Sequence, residues 1–125
     1  MEMKLDNDNK GLAIVQARYL ASRLPGKVLK KINKKTILEI LINRLSKSKK
    51  ISKIIIACSS NKMDYEIIKI AKKIKVDYFI GSEKNVLKRY YFAARKYSYK
   101  NIVRITADCP LIDTDIVDLV IKNYF

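Results

Sequence analysis

The chain has 125 residues, 49% of them hydrophobic and 31% charged, enough for one domain with a modest buried core. Its 27 Lys and Arg outweigh 12 Asp and Glu to give a net charge of +15, but only six of the cations are arginines and the lysines are spread through every segment, which argues against a dedicated nucleic-acid surface. No apolar run approaches the ~20 residues of a membrane span, the start Met1 to Lys10 lacks the apolar stretch of a signal peptide, and there is no histidine, so spanning, secreted and imidazole-based readings are set aside in favour of a cytoplasmic protein.

Residues 1–10 read as a polar N-terminal extension and 11–125 as one domain. Hydrophobic periodicity predicts a strand near 11–17, a helix near 36–48, a strand near 53–58 and a helix near 63–75. A strand near 77–80, a helix near 83–98, a strand near 101–106 and a helix from about 114 complete the series. Ile54-Ile55-Ile56-Ala57-Cys58 is a continuous apolar run of the kind found in a strand covered on both faces. Ile37, Leu38, Ile40, Leu41 and Leu45 recur at helical spacing. The alternation predicts an α/β three-layer sandwich on a mainly parallel sheet. Such sheets bind ligands beyond the carboxyl ends of their strands, at the switch in strand order. The segments Arg18 to Lys27 and Thr106 to Asp113 are therefore expected to meet over one site. Cys58 and Cys109 fall in no metal-spaced pair and read as reduced thiols.

Arg18, Ser22, Arg23 and Lys27 follow the first strand beside Pro25-Gly26, a grouping suited to polyphosphate. On spacing alone a solvated basic loop is an equal alternative. Neither a G-x-G-x-x-G nor a G-x-x-x-x-G-K-[ST] string is present, which removes the dinucleotide and P-loop readings. Asp108, just past a strand and stiffened by Pro110, fits either a Mg²⁺ ligand or a cap of the following loop or helix. Asp113 or Thr114 caps the last helix, and Asp113 reads as a cap in preference to a ligand.

Gln16-Ala17-Arg18 with Ser22-Arg23-Leu24-Pro25-Gly26-Lys27-Val28-Leu29 resembles the N-terminal signature of sugar-acid cytidylyltransferases, the group of the acylneuraminate and 3-deoxy-manno-octulosonate activating enzymes. Gly81-Ser82-Glu83 with Val86-Leu87-Lys88-Arg89-Tyr90-Tyr91, then Val103 to Asp113, resemble later signatures of its spore-coat polysaccharide branch, in the same order. The resemblance implies the glycosyltransferase-A-like (nucleotide-diphospho-sugar transferase) fold, truncated to its N-terminal half. It implies nucleotidyl transfer, in which an oxygen of a sugar or sugar acid attacks the α-phosphorus of CTP and pyrophosphate leaves. In that reaction Arg18 and Lys27 would hold the β and γ phosphates, with Mg²⁺ on Asp108 bridging to the α-phosphate. Ser22 would add a hydroxyl, and Arg23 would either join the phosphates or anchor the loop to an acidic neighbour. Arg89 would face the nucleoside or the sugar, or else lie solvated, while Tyr90 and Tyr91 are expected in the core. A homodimer is left open.

Two departures bear on activity. Leu20-Ala21 stands where the family carries Gly-Ser, replacing a permissive backbone and a hydroxyl donor, and Ala107 replaces the glycine before the aspartate. Family members are roughly twice this length. The expectation is a CTP-Mg-binding module without turnover as this short chain, against the alternatives of an inactive remnant or a basic nucleic-acid binder.

Overall fold

Apolar runs make the central strands, and the helices that cover them follow from the side on which each run is buried. The computed structural model describes residues 11–20, 23–107 and 110–124. Gly11–Gln16 forms β1, in which Leu12, Ala13, Ile14 and Val15 are wholly buried. After a loop and a 3-10 turn at Lys27–Leu29, the chain makes a small ribbon of Lys31–Ile32 (β2) with Lys35–Thr36 (β3). Sequence reading did not anticipate this ribbon. Asn33 and Lys34 at its tip have φ of 51° and 72°, the backbone of a two-residue hairpin loop that usually announces itself as Asn-Gly. A lysine in the glycine position hides the signal.

Helix α1 (Ile37–Leu45) begins at Thr36, whose hydroxyl accepts from the Glu39 N–H at 3.1 Å while the Glu39 carboxylate accepts from the Thr36 N–H at 3.2 Å. This reciprocal cap satisfies two donors at the helix start and fixes where the helix begins. Leu38, Leu41 and Leu45 then present one fully buried stripe, and truncating any one of them to Ala would cost roughly 2–5 kcal/mol. The chain continues through β4 (Ile51–Ser59), a 3-10 turn (Lys62–Asp64), α2 (Tyr65–Lys73) and β5 (Asp77–Gly81). It ends with α3 (Val86–Tyr97), β6 (Ile102–Thr106) and α4 (Thr114–Tyr124). Asp113 caps α4, its carboxylate accepting from the Asp115 N–H at 2.9 Å.

The four long strands are all parallel, in the order β5-β4-β1-β6. Val15 and Ala17 pack with Leu41 of α1 and Ile67 of α2, whereas Leu12 and Ile14 pack with Tyr90 and Ala93 of α3. Alternation along one strand thus serves two layers of helices. The result is the expected three-layer α/β sandwich on a parallel sheet. Beyond β6, the Arg44 Nε donates to the Ile112 carbonyl at 2.8 Å, and the Asp118 carboxylate accepts from the Ser48 hydroxyl and from the Lys49 N–H at 3.1 Å, which ties α4 to the end of α1. No helix among the described residues is long and apolar enough to cross a membrane.

One expectation is corrected. Tyr90 is buried as expected, but Tyr91 is 57% exposed, because neighbouring positions on a helix point ~100° apart and only one of the two can face the sheet.

Candidate functional site

Strand order reverses at β1. Strands β4 and β5 follow on one side of it and β6 on the other, so the crevice between β1 and β6 is the switch point where such sheets bind ligands. Gln16, the last residue of β1, pairs with Ala57 of β4 and Thr106 of β6. Just beyond, the Ala17 N–H donates to the Ala57 carbonyl and the Ala107 N–H to the Gln16 carbonyl, each at 3.0 Å. The loop carrying the cations and the turn after β6 therefore leave adjacent strands at one edge, as predicted. Ser22 and Asp108, two of the predicted site residues, lie outside the described residues.

The loop is closed on Gly26. Its N–H donates to the Tyr19 carbonyl at 2.8 Å and its φ is 75°, a left-handed conformation natural to glycine. A Cβ there would also meet Tyr19 Cε2 at 2.7 Å, so the ring fills the space a side chain would need. Val28, just past the turn, is buried with α1 and anchors the far end of the loop. Arg23 is exposed and Lys27 partly buried, and neither forms an ion pair with another described residue. Neither Leu20 nor Ala107 is among the described residues with positive φ, the backbone that would favour a glycine there.

Arg18 is placed differently from a lone phosphate cation. Its Nη1 donates to the Glu83 carbonyl at 3.1 Å, its Nη2 lies 3.6 Å from the Glu83 carboxylate, and its Nε lies 3.9 Å from Asp64. Asp64 is 1% exposed and gathers the edge together: its carboxylate accepts from the Tyr19 N–H at 2.7 Å, the Ser59 N–H at 2.9 Å and the Ser59 hydroxyl at 2.6 Å. Asn61 supports the same network by donating to the Glu83 carboxylate at 2.9 Å. Sequence reasoning missed Asp64, Ser59 and Asn61. In sequence Asp64 reads as a helix-start residue, and only the fold brings it to a loop forty-five positions earlier.

Arg89 settles the alternative between a solvated and an inward-facing side chain. It is fully buried, with its stem against Gly81, where a Cβ would stand 2.7 Å from Arg89 Cγ. Its Nη1 donates to the Ser82 carbonyl, but its Nε and Nη2 make no hydrogen bond among the described residues. The other buried side-chain polar atoms without a hydrogen bond among the described residues are Gln16 Oε1 and Arg18 Nε. Gln16 and Arg18 continue the alternation of Leu12 and Ile14, so all four orphan atoms belong to residues on the α3 side of one sheet edge. Burial, and next the Arg18 guanidinium, push the Arg89 pKa below its ordinary value. A buried donor left unpaired costs about 1–3 kcal/mol, so each of these atoms calls for a partner, whether water, ion or ligand. Cys58, nearby, is no nucleophile: burial, then the Asp64 charge, push its thiol up to about 12.

Among the described residues no three His, Cys, Asp or Glu side chains come together to hold a metal ion. The two carboxylates at this edge, Asp64 and Glu83, are both turned to Arg18.

Comparison with known proteins identifies the family. A sequence model of the cytidylyltransferase family matches residues 12–125. The uncharacterized protein MJ1063 of Methanocaldococcus jannaschii is 44% identical over 120 residues, covering 93% of this chain and 49% of that protein. The spore coat polysaccharide biosynthesis protein SpsF of Bacillus subtilis is 33% identical over 121 residues, covering 94% of this chain and 50% of its own length. The structure of a cytidylyltransferase from Leptospira borgpetersenii superposes with a TM-score of 0.85 at 36% identity, over 92% of this chain and 48% of that one. The chain spans about half the length of the relatives it matches. With signature loops and strand order pointing the same way as this match over nearly all of its length, the chain belongs to the cytidylyltransferase family.

Proposed function

We propose that this chain binds CTP at the carboxyl edge of β1 and β6, as the nucleotide-binding part of an enzyme that activates a sugar or sugar acid for surface polysaccharide. One observation supports the reading: buried polar atoms of Gln16 and Arg89 that make no hydrogen bond among the described residues, beside Arg18, at the carboxyl edge of the sheet. Cytosine offers two adjacent acceptors, O2 and N3, beside an amine donor. The Arg89 donors suit the acceptors and the Gln16 side-chain Oε1 suits the amine, while adenine lacks that pair of acceptors. Lys27 and Arg23 stand ready for the β and γ phosphates, and Arg18 joins them from its carboxylate support.

In the proposed reaction an oxygen of the sugar attacks the α-phosphorus, the bond from that phosphorus to the bridging oxygen breaks, and pyrophosphate leaves with the electron pair. The protein's share is orientation and charge compensation. Mg²⁺, which Asp108 would hold, would supply neutralisation of phosphate charge.

Calorimetry with CTP and ATP, with and without Mg²⁺, tests this reading. CTP is expected to bind more tightly than ATP. Lys27→Ala should weaken binding in both metal conditions, by roughly ten-fold or more for the loss of one charged contact, whereas Asp108→Asn should remove chiefly the Mg²⁺-dependent part. Equal binding of the two nucleotides with the same salt dependence would mean that net charge alone is responsible.

A further inference from the structure

Among the described residues α3 is the one helix in the core cluster on its side of the sheet, and it turns Tyr90 and Ala93 inward. Its outward face is not that of a solvated helix. Leu87, Tyr91 and Phe92 are 78%, 57% and 41% exposed. Leu87, Tyr91 and Arg95 follow one another at four-residue intervals, and Lys88 and Phe92 form the neighbouring row, so apolar and cationic side chains share one strip. A lone exposed apolar residue is ordinary, whereas three together on one face mark a contact surface.

What meets this strip follows from its charge. Each of the other helices carries an acid: Glu39 in α1, Glu66 in α2, Asp115 and Asp118 in α4. Helix α3 carries none, while Lys84 just before it and Lys88, Arg95 and Lys96 within it are exposed. Neither Lys88 nor Arg95 pairs with a described acid. The Lys88 ammonium lies 6.0 Å from the centre of the Phe92 ring and that of Lys96 5.5 Å from the Tyr97 ring, so cations and rings are offered together. The partner is therefore anionic and also receives apolar side chains. A second copy of the chain, with net charge +15, is repelled. RNA supplies the charge, but its bases stack on ring faces and gain nothing from Leu87, and Tyr91 meets Phe92 edge to face at 76° instead of forming a flat platform. An anionic bilayer satisfies both demands, since lipid phosphates take the cations while Leu, Tyr and Phe enter the headgroup region.

We propose that α3 is a peripheral membrane contact. The helix lies flat on an anionic lipid surface, with Leu87, Tyr91 and Phe92 dipping into the headgroup layer and Lys84, Lys88 and Arg95 pairing with lipid phosphates. This inference is independent of the nucleotide reading: the strip faces away from the sheet, and loss of CTP binding leaves it standing.

The chain has no tryptophan, so Tyr91→Trp on α3 and Tyr65→Trp on α2, both exposed and on opposite sides of the sheet, each give a single fluorescent reporter. With vesicles of phosphatidylglycerol and phosphatidylcholine mixed one to two, emission of the Tyr91→Trp variant should shift to the blue and that of the Tyr65→Trp variant should stay. Phosphatidylcholine alone should move neither. In vesicle sedimentation, Lys88→Glu with Arg95→Glu should lower partitioning of the full chain at least about 25-fold, since one cation near such a surface is worth roughly five-fold. Lys62→Glu with Lys72→Glu, the same change in net charge on the α2 side, should lower it by no more than about five-fold. All four side chains are exposed, so circular dichroism should be unchanged in both double variants. An unshifted Tyr91→Trp variant, equal shifts of the two reporters, or equal losses from the two double variants overturns the proposal. So does binding of poly-uridine RNA that the α3 double variant loses while vesicles leave the chain in solution, or a dimer of the chain alone that dissociates in Tyr91→Ser.

Discussion

Asp64→Asn keeps the volume of a buried side chain while removing the charge on which three segments converge. One carboxylate oxygen takes the Tyr19 N–H, and the other takes the N–H and hydroxyl of Ser59 and faces Arg18. An amide has one carbonyl oxygen. Either way round, its NH₂ points at an N–H donor, so at least one charged hydrogen bond of about 1.5–3 kcal/mol is lost. Arg18 also loses a counter-charge, although Glu83 still pairs with it. Removing one member of a buried pair typically costs about 3–5 kcal/mol, and the 3.9 Å separation with a surviving partner favours the lower end, near 3 kcal/mol. At about 4 °C per kcal/mol for a domain of this size, the melting temperature should fall by roughly 12 °C. Differential scanning calorimetry reads that shift, and hydrogen exchange at Tyr19 and Ser59 shows whether the loop has opened. Ser59→Ala, which deletes only the hydroxyl, should cost about 1 kcal/mol. A fall below about 4 °C for Asp64→Asn, or equal effects of the two substitutions, would refute a central role for the carboxylate.

Gly26→Ala should cost about 1–2 kcal/mol for its left-handed backbone, with more from the collision with the Tyr19 ring, and should weaken CTP binding at the same time; urea unfolding and calorimetry measure the two. Acid should destabilise the chain through Glu39 and Asp118. Burial alone would raise both carboxyls, but hydrogen bonds from Thr36 to Glu39, and from Ser48 and the Lys49 and Lys50 N–H groups to Asp118, hold them below their ordinary 4.5 and 3.8. Their stabilisation is therefore present above those values and lost as pH falls through the depressed ones, so the urea midpoint should drop below pH 4.5, less steeply in Thr36→Ala. In a Cys109→Ser background, Cys58 should resist a thiol reagent at pH 8 until the chain unfolds, because its raised pKa and burial keep it a protonated, covered thiol.

Strands and helices were legible because their signals are local. The run at Ile54 to Cys58 and the spacing of Leu38, Leu41 and Leu45 report burial directly, and strand β4 and helix α1 lie where these patterns put them. The β2-β3 ribbon was not legible, since Asn33-Lys34 adopts a glycine-type backbone without a glycine. At the site, the motif order located the Arg18 to Lys27 loop, and the parallel topology put it beside the turn after β6. The charge state of that loop was hidden. Whether Arg18 is free or held by Asp64 and Glu83 depends on contacts across forty-six and sixty-five residues, and single residues carry no periodic signal of such pairing. Arg89 was ambiguous for a related reason. On an amphipathic helix a lone arginine usually faces water, and only Gly81 opposite makes room for it inside.

The central place of β1 also sets a timetable for synthesis. Strand β4, its first neighbour, is complete at Ser59, but β6 is complete only at Thr106, and Leu12 waits for Ile102, its partner ninety positions later. At about 5–20 residues per second, the growing chain spends roughly 2–9 s with β1 paired on one side only. During that interval Ala13, Ile14 and Val15 lie on an open apolar edge able to recruit a stray strand. The cation loop can close on Gly26 early, yet the crevice beside it cannot form until the nascent chain has delivered its sixth strand. A ribosome that stalls before residue 102 thus releases a sticky sheet with no crevice, which makes the late arrival of β6 a point of vulnerability to chaperone supply and codon pace.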